Sequence, residues 1–185
     1  MQDLSTKDLR TKKESVSPYG EWQKSEGVPI IQGLIVPNLR GELPMGPWPR
    51  KGVKGAFVRL LGAEESVDAY ICEIPPAGNT NPERYMFEEE IFVVQGRGAT
   101  TIWTDGGRKQ TYQWQEGSVF SPPLNAWRQH FNGSPDEPVR LLTMTNAPVI
   151  FNLFRSPDFI FNCEYVFKGR YTGEEDYFSG RGTAH

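Results

Sequence analysis

Residues 78–96 read GNTNPERYMFEEEIFVVQG and residues 117–132 read GSVFSPPLNAWRQHFN. Side chains two apart on an extended strand share a face. Arg128, His130 and Asn132 therefore go to one face, with Trp127 and Phe131 opposite. By the same rule Glu83 and Tyr85 go together in the first stretch. In the run Glu88-Glu89-Glu90 the middle carboxylate takes one face, and Glu88 and Glu90 take the other. Working outward, short β-prone runs cover residues 56–61, 69–74, 91–95, 99–104, 110–115, 118–121, 127–131 and 139–144. Turn chemistry separates them at Gly62-Ala63-Glu64-Glu65, Gly96-Arg97-Gly98, Asp105-Gly106-Gly107, Glu116-Gly117 and Gly133-Ser134-Pro135. Asp105-Gly106-Gly107 is the clearest hairpin signal, because glycine supplies the positive φ that such turns need. Short strands with no long helix between them favour an antiparallel barrel over a βαβ arrangement.

The flanks read differently. In residues 1–54, Ser5 is placed to cap a short helix over residues 7–15, after which Pro18, Gly20, Gly27 and Pro29 interrupt the chain. Residues 30–36 read as an edge strand, and residues 43–49 as a proline-rich surface crossing that lays Trp48 onto the domain. Residues 147–185 form a tail rich in rings, among them Phe151, Phe159, Phe161, Tyr171, Tyr177 and Phe178. Burying such a ring is worth roughly 1.5–3 kcal/mol, so the tail packs on its own barrel or across a dimer interface.

Composition narrows the partners. A chain of 185 residues suits one well-buried core with arms. Its 20 basic and 23 acidic residues are interspersed, with no basic run to track a phosphate backbone, so nucleic acid is not an expected partner. No apolar run approaches the roughly 20 residues of a membrane span, and residues 1–15 lack an apolar export segment. The expectation is a soluble, cytoplasmic protein with no membrane partner. The two cysteines, Cys72 and Cys163, are expected reduced and buried as small apolar residues.

The two opening stretches resemble the paired motifs of the cupin superfamily, G-x5-H-x-H-x3,4-E-x6-G and G-x5-P-x-G-x2-H-x3-N. Counted back from Gly96, Glu89 is the motif carboxylate, and Glu83 and Tyr85 stand where two histidines would be. Gly117, Pro123 and Asn132 fall at the motif spacing, while Asn125 replaces the central glycine and Arg128 the third histidine. The resemblance implies an all-β, jelly-roll-like antiparallel cupin β-barrel over residues 55–146, with an N-terminal arm (1–54) and a C-terminal tail (147–185). It also implies a homodimer, and an interior on which Glu83, Tyr85, Glu89, Arg128 and His130 converge.

Three readings of that interior follow. In the first, His130, Glu89 and Tyr85 move protons and polarise an oxygen, while Arg128 and Glu83 hold a compact anionic or carbonyl-bearing small molecule; the chemistry is that of an isomerase, cyclase, decarboxylase or lyase. His130 suits this role through its ordinary pKa near 6.5. It is also the one histidine placed there, His185 being the last residue. In the second, Glu83, Glu89 and His130 hold one divalent metal ion (iron, manganese, zinc or nickel) in an oxygenase or lyase. The Arg128 charge opposes this, since two unit charges at about 4 Å repel by about 4 kcal/mol at an effective dielectric of about 20. In the third, the cavity binds a small ligand without converting it.

Overall fold

The computed structural model describes residues 16–63, 66–167, 169–171 and 173–174. Its strands are β1 (Ile30–Gly33), β2 (Gly46–Trp48), β3 (Val53–Leu60), β4 (Asp68–Ile74), β5 (Glu89–Gln95), β6 (Arg97–Trp103), β7 (Gln110–Gln115), β8 (Val119–Phe120), β9 (Trp127–Asn132) and β10 (Val139–Thr145). Three helices flank them: α1 (Pro18–Glu26), α2 (Ala147–Phe154) and α3 (Pro157–Asn162). The strands form a seven-stranded sheet, ordered β1-β3-β4-β10-β5-β8 with β2 on β3, and a three-stranded sheet, β7-β6-β9. Only β1 on β3 is a parallel pair among the described strands. The class is all-β, as expected.

Glycine makes the corner between the sheets. Gly96 joins β5 to β6 at φ +89°, and a Cβ there would stand 2.7 Å from Val139 Cγ2. The Asp105-Gly106-Gly107 turn closes β6 onto β7, with Gly106 at φ +71°. Residues 78–83 then lie along the free edge of β9. Glu83 and Arg128 exchange both backbone bonds (3.0 and 2.9 Å), and Asn132 N–H donates to the Gly78 carbonyl at 2.9 Å. The two stretches that opened the sequence reading are therefore hydrogen-bonded neighbours.

The arm and the tail belong to the same packed body. Ile31, Val36, Leu39, Leu43 and Met45 cover the outer face of the large sheet over Ala56, Val58 and Ile71. Arg140 pins this cover by donating from Nη1 to the carbonyls of Leu39 (3.0 Å) and Gly41 (2.6 Å). Residues 43–49 are not a simple crossing: Gly46–Trp48 pair with β3, and Trp48 is 1% exposed. Pro47 is tolerated because this strand pairs on one side only. The edge strand at residues 30–36 stops at Gly33, leaving Leu34 and Ile35 exposed.

Pro18 and Gly20, read as breaks, lie inside α1. Pro18 occupies the first turn, where its missing N–H costs nothing, Ser17 Oγ caps Gly20 N–H at 3.1 Å, and Gly27 ends the helix at φ +68°. The three helices meet through rings: Trp22 stacks on Phe151 at 4.5 Å, and Phe161 lies 5.8 Å from Phe151. The described part of the tail rests on its own chain, with Tyr171 buried against Ile102 and Ala126. The expected helix over residues 7–15, and Tyr177 and Phe178, lie outside the described residues. Both cysteines are free; Cys72 is buried, whereas Cys163 is only partly so, contrary to expectation. No helix among the described residues is long and apolar enough to cross a membrane.

Candidate functional site

Strand alternation places the site. On β9, Arg128, His130 and Asn132 are buried, while Trp127, Gln129 and Phe131 are only partly so. Trp127 stacks on Trp103 across the outer face of the small sheet. At the start of β5, Glu89 is buried between exposed Glu88 and Glu90. Glu83, Tyr85 and Phe87 are buried in alternation with Arg84 and Met86. All five candidate residues thus lie in the interior.

Four of them, Glu83, Tyr85, Glu89 and Arg128, belong to one network of contacts, which His130 does not join. The Arg128 guanidinium lies 3.7 Å over the Tyr85 ring, its Nε is 3.5 Å from Glu89 Oε2, and its Nη1 donates to the Ala126 carbonyl at 2.8 Å. Two residues that sequence reasoning missed complete the network. Lys51 Nζ donates to Glu83 Oε1 at 2.6 Å and to the Tyr70 hydroxyl at 3.2 Å. The Tyr70 hydroxyl in turn donates to Glu89 Oε1 and lies 3.4 Å from the Tyr85 hydroxyl. Tyr70 was findable, because it alternates inward with Cys72 and Ile74 on β4. Lys51 was not: it sits in a β2–β3 turn, outside any periodic pattern, held by Asn81 N–H donating to its carbonyl at 2.8 Å.

Glu83, expected as a substrate contact or a metal ligand, instead has one oxygen paired with Lys51. Two cations and two carboxylates therefore share a nearly dry interior. Burial works against the charge of Lys51, but Glu83 and Glu89 outweigh it and hold the ammonium's pKa above its usual value. Arg128 is raised likewise, its burial opposed by Tyr85, Glu89 and Glu83. Burial, reinforced by Glu89, pushes both the Tyr70 and Tyr85 hydroxyls well above the usual phenol range, so both stay protonated. Burial also pushes the Cys72 thiol up to about 12, leaving it inert at neutral pH.

His130 departs from expectation. Burial first, then the charges of Lys51 and Arg128, push its pKa down to about 3, so the ring is neutral at pH 7. Its Nδ1 lies 2.7 Å from Thr100 Oγ1, and its backbone N–H donates to Thr80 Oγ1 at 3.0 Å. An imidazole with so low a pKa cannot serve as a protonated acid near neutrality.

Three buried atoms of this network have no hydrogen-bond partner: Glu83 Oε2, Glu89 Oε2 and Arg128 Nε. The residues do not fit a metal ion. Among the described residues no group of three histidine, cysteine, aspartate or glutamate side chains is placed to hold one. Glu83 is neutralised by Lys51, Glu89 faces Tyr70 and Arg128, and His130 Nδ1 is engaged with Thr100. Lys51 and Arg128 supply the positive charge that a cation would bring.

The motif positions converge as the resemblance implied. Residues 83, 85, 89 and 128 line one interior, Gly96 turns the corner between sheets, and Asn125 takes the positive φ (57°) suited to the glycine it replaces. The fold is that of a cupin. No protein-family model matches the chain. It is 28% identical over 108 residues to a 5-aminosalicylate 1,2-dioxygenase from a Comamonas species, over 57% of this chain and 27% of that protein. The chain thus spans well under half the length of that relative. Among solved structures it is similar to an oxalate decarboxylase from Lactobacillus farciminis, at 22% identity and TM-score 0.49 over 57% of this chain and 31% of that one. It is also similar to the Cnp3 cupin domain of Schizosaccharomyces pombe, at 19% identity and TM-score 0.48 over 62% and 75%. A vicilin from Corylus avellana aligns at 20% identity and TM-score 0.43, over 47% and 24%.

Asn125 does further work. Its Nδ2 donates to the carbonyls of Cys163 and Tyr165, each at 2.9 Å, tying the tail to the β8–β9 turn. Asn132 is structural: its Nδ2 donates to the carbonyls of Ile74, Pro75 and Glu137. Aromatic rings pack over the network, with Phe87 stacked on Tyr85 at 3.8 Å and Phe161 and Trp22 beyond it.

Proposed function

We propose that this cupin is a metal-independent small-molecule enzyme doing acid–base chemistry, of isomerase, cyclase, decarboxylase or lyase type, on a compact anionic or carbonyl-bearing substrate. The observation that carries it is one charge-balanced cluster in which the buried Glu83 Oε2 makes no hydrogen bond, and Glu89 Oε2 and Arg128 Nε face each other 3.5 Å apart without forming one. Leaving such atoms unbonded costs about 1–3 kcal/mol each, more for charged groups, so the cluster favours an occupant that supplies both an acceptor and a donor. A small molecule with an oxyanion for Arg128 and an acidic hydrogen for Glu89 meets that need. Glu89 Oε2 takes the proton, and the protonated Tyr85 hydroxyl donates to the substrate oxygen as charge develops there. His130 stays neutral and lends a hydrogen bond rather than a proton. Lys51 pairs with Glu83 and balances the field.

The test is a panel of small 2-oxo and 2-hydroxy carboxylates incubated in D2O with chelator-treated protein, read by proton NMR. Deuterium incorporation or conversion that survives the chelator, and is abolished by Glu89→Gln, supports the proposal. Conversion that requires an added divalent ion overturns it. A second reading, a cupin that holds its ligand without converting it, draws support from the rings packed over the cluster. It predicts a compound that raises the melting temperature and is recovered unaltered.

A further inference from the structure

We propose that Thr100 and Trp114 fix the tautomer of His130, so that the imidazole carries its proton on Nε2 and presents an N–H to the interior of the cupin.

The wiring starts from what each group can do. The Trp114 indole N–H only donates, and it donates to Thr100 Oγ1 at 2.8 Å. Thr100 is fully buried and directly opposite His130 in the β6–β9 register. Its oxygen has accepted from Trp114, so its single proton needs an acceptor, and His130 Nδ1 at 2.7 Å is the one it has among the described residues. In the reverse arrangement Nδ1–H donates to Oγ1. That oxygen then accepts twice, and the hydroxyl proton is left unpaired in a dry site. The lost bond biases the tautomers by about ten to one or more.

Backbone geometry prepares this contact. Trp114 on β7 pairs with Gly98 on β6, not with Thr100. A Cβ at Gly98 would collide with Trp114 Cη2 and Cζ2, so the bare glycine is what lets the indole lie across β6 toward Thr100. The depressed pKa of His130 agrees with a ring that is neutral and therefore has a tautomer to choose.

No described residue bonds Nε2. Read with the proposed function, on which this consequence alone rests, the Nε2–H adds a neutral donor to the Arg128 cation. The site would then favour ligands that offer an acceptor oxygen and disfavour a proton donor at that point. Thr100 and Trp114 are positioning residues, acting through His130.

The tautomer is read directly from a two-bond proton–nitrogen correlation spectrum of 15N-labelled protein, in which only two imidazoles occur, His130 and His185. His185→Gln assigns them. The expected result is a pyridine-like Nδ1 and a pyrrole-like Nε2 for His130, unchanged from pH 5 to 8. Thr100→Val is expected to shift His130 toward the Nδ1–H form or a mixture, and Thr100→Ser to restore the original signature. Trp114→Phe, which frees the threonine oxygen to accept, is expected to give a mixture. A wild-type spectrum showing Nδ1–H or a mixture overturns the proposal. So does an unaltered tautomer in Thr100→Val or, if that variant does not fold, in Trp114→Phe. The spectrum is taken without ligand, so failure to find a substrate bears on the proposed function and not on the tautomer.

Discussion

Replacing Lys51 by methionine tests whether the interior is a balanced ionic network. The side chain keeps nearly its length and loses its charge and its hydrogen bonds to Glu83 and Tyr70, so packing is nearly conserved while Glu83 is left alone. The pair is close and dry: Nζ to Oε1 is 2.6 Å, with each side chain 7% exposed. At that distance the attraction is about 6 kcal/mol for an effective dielectric of about 20, offset by a desolvation penalty of several kcal/mol for each ion. The intact pair is therefore nearly neutral for stability, whereas breaking it costs about 3–5 kcal/mol. Glu83 suffers more than an average partner, because its Oε2 is already unbonded and the substitution strips Oε1 as well. The double variant Lys51→Met/Glu83→Gln is expected to recover most of the loss. Urea denaturation followed by tryptophan fluorescence gives the cycle, with Trp48 a close reporter whose ring centroid is 5.3 Å from Lys51 Nζ. A single variant within about 1 kcal/mol of wild type, or a double variant as unstable as the sum of the singles, would refute the network.

His130 has a folded pKa near 3 against about 6.5 unfolded, so stability is lost as pH falls through that window and is fully present above it. Relative to His130→Gln, wild type should lose up to roughly 5 kcal/mol between pH 6.5 and 3, measured by denaturation at stepped pH; parallel curves would rule this out. Asn125→Gly preserves the positive φ but removes both donors to the tail. It should speed amide exchange in residues 163–167 while costing the fold only about 1–2 kcal/mol, and unchanged exchange would count against the tether. Gly96→Ala, with φ +89° and a Cβ pressed on Val139, should destabilise by about 1–3 kcal/mol in the same denaturation assay. Protein grown with added iron, manganese, zinc and nickel should contain well under one ion per chain by elemental analysis. One ion per chain, lost on Glu89→Ala, would restore the metal reading.

Much of the fold was legible because it depends on local rules. The period of two in residues 127–132 sends Arg128 and His130 inward, and the Asp105-Gly106-Gly107 turn closes a hairpin that any strand order would contain. The helices were less legible. A proline in a first helical turn and one before a break are the same letter, and only the Ser17 cap and the rings of α2 and α3 distinguish Pro18. In the candidate site, the inward set on β9 and β5 could be read, and so could Tyr70 from its phase on β4.

The sequence by itself determined an all-β chain with two stretches that resemble the paired cupin motifs, and which side chains share a strand face. Those properties come from spacing and turn chemistry within a few residues. The tertiary structure alone decided what the interior does electrically. Lys51 reaches Glu83 from a turn 32 residues away, and Trp114 reaches Thr100 across a bare glycine. A side chain's charge state and tautomer depend on what surrounds it in a low dielectric, and those neighbours come from separate strands and turns.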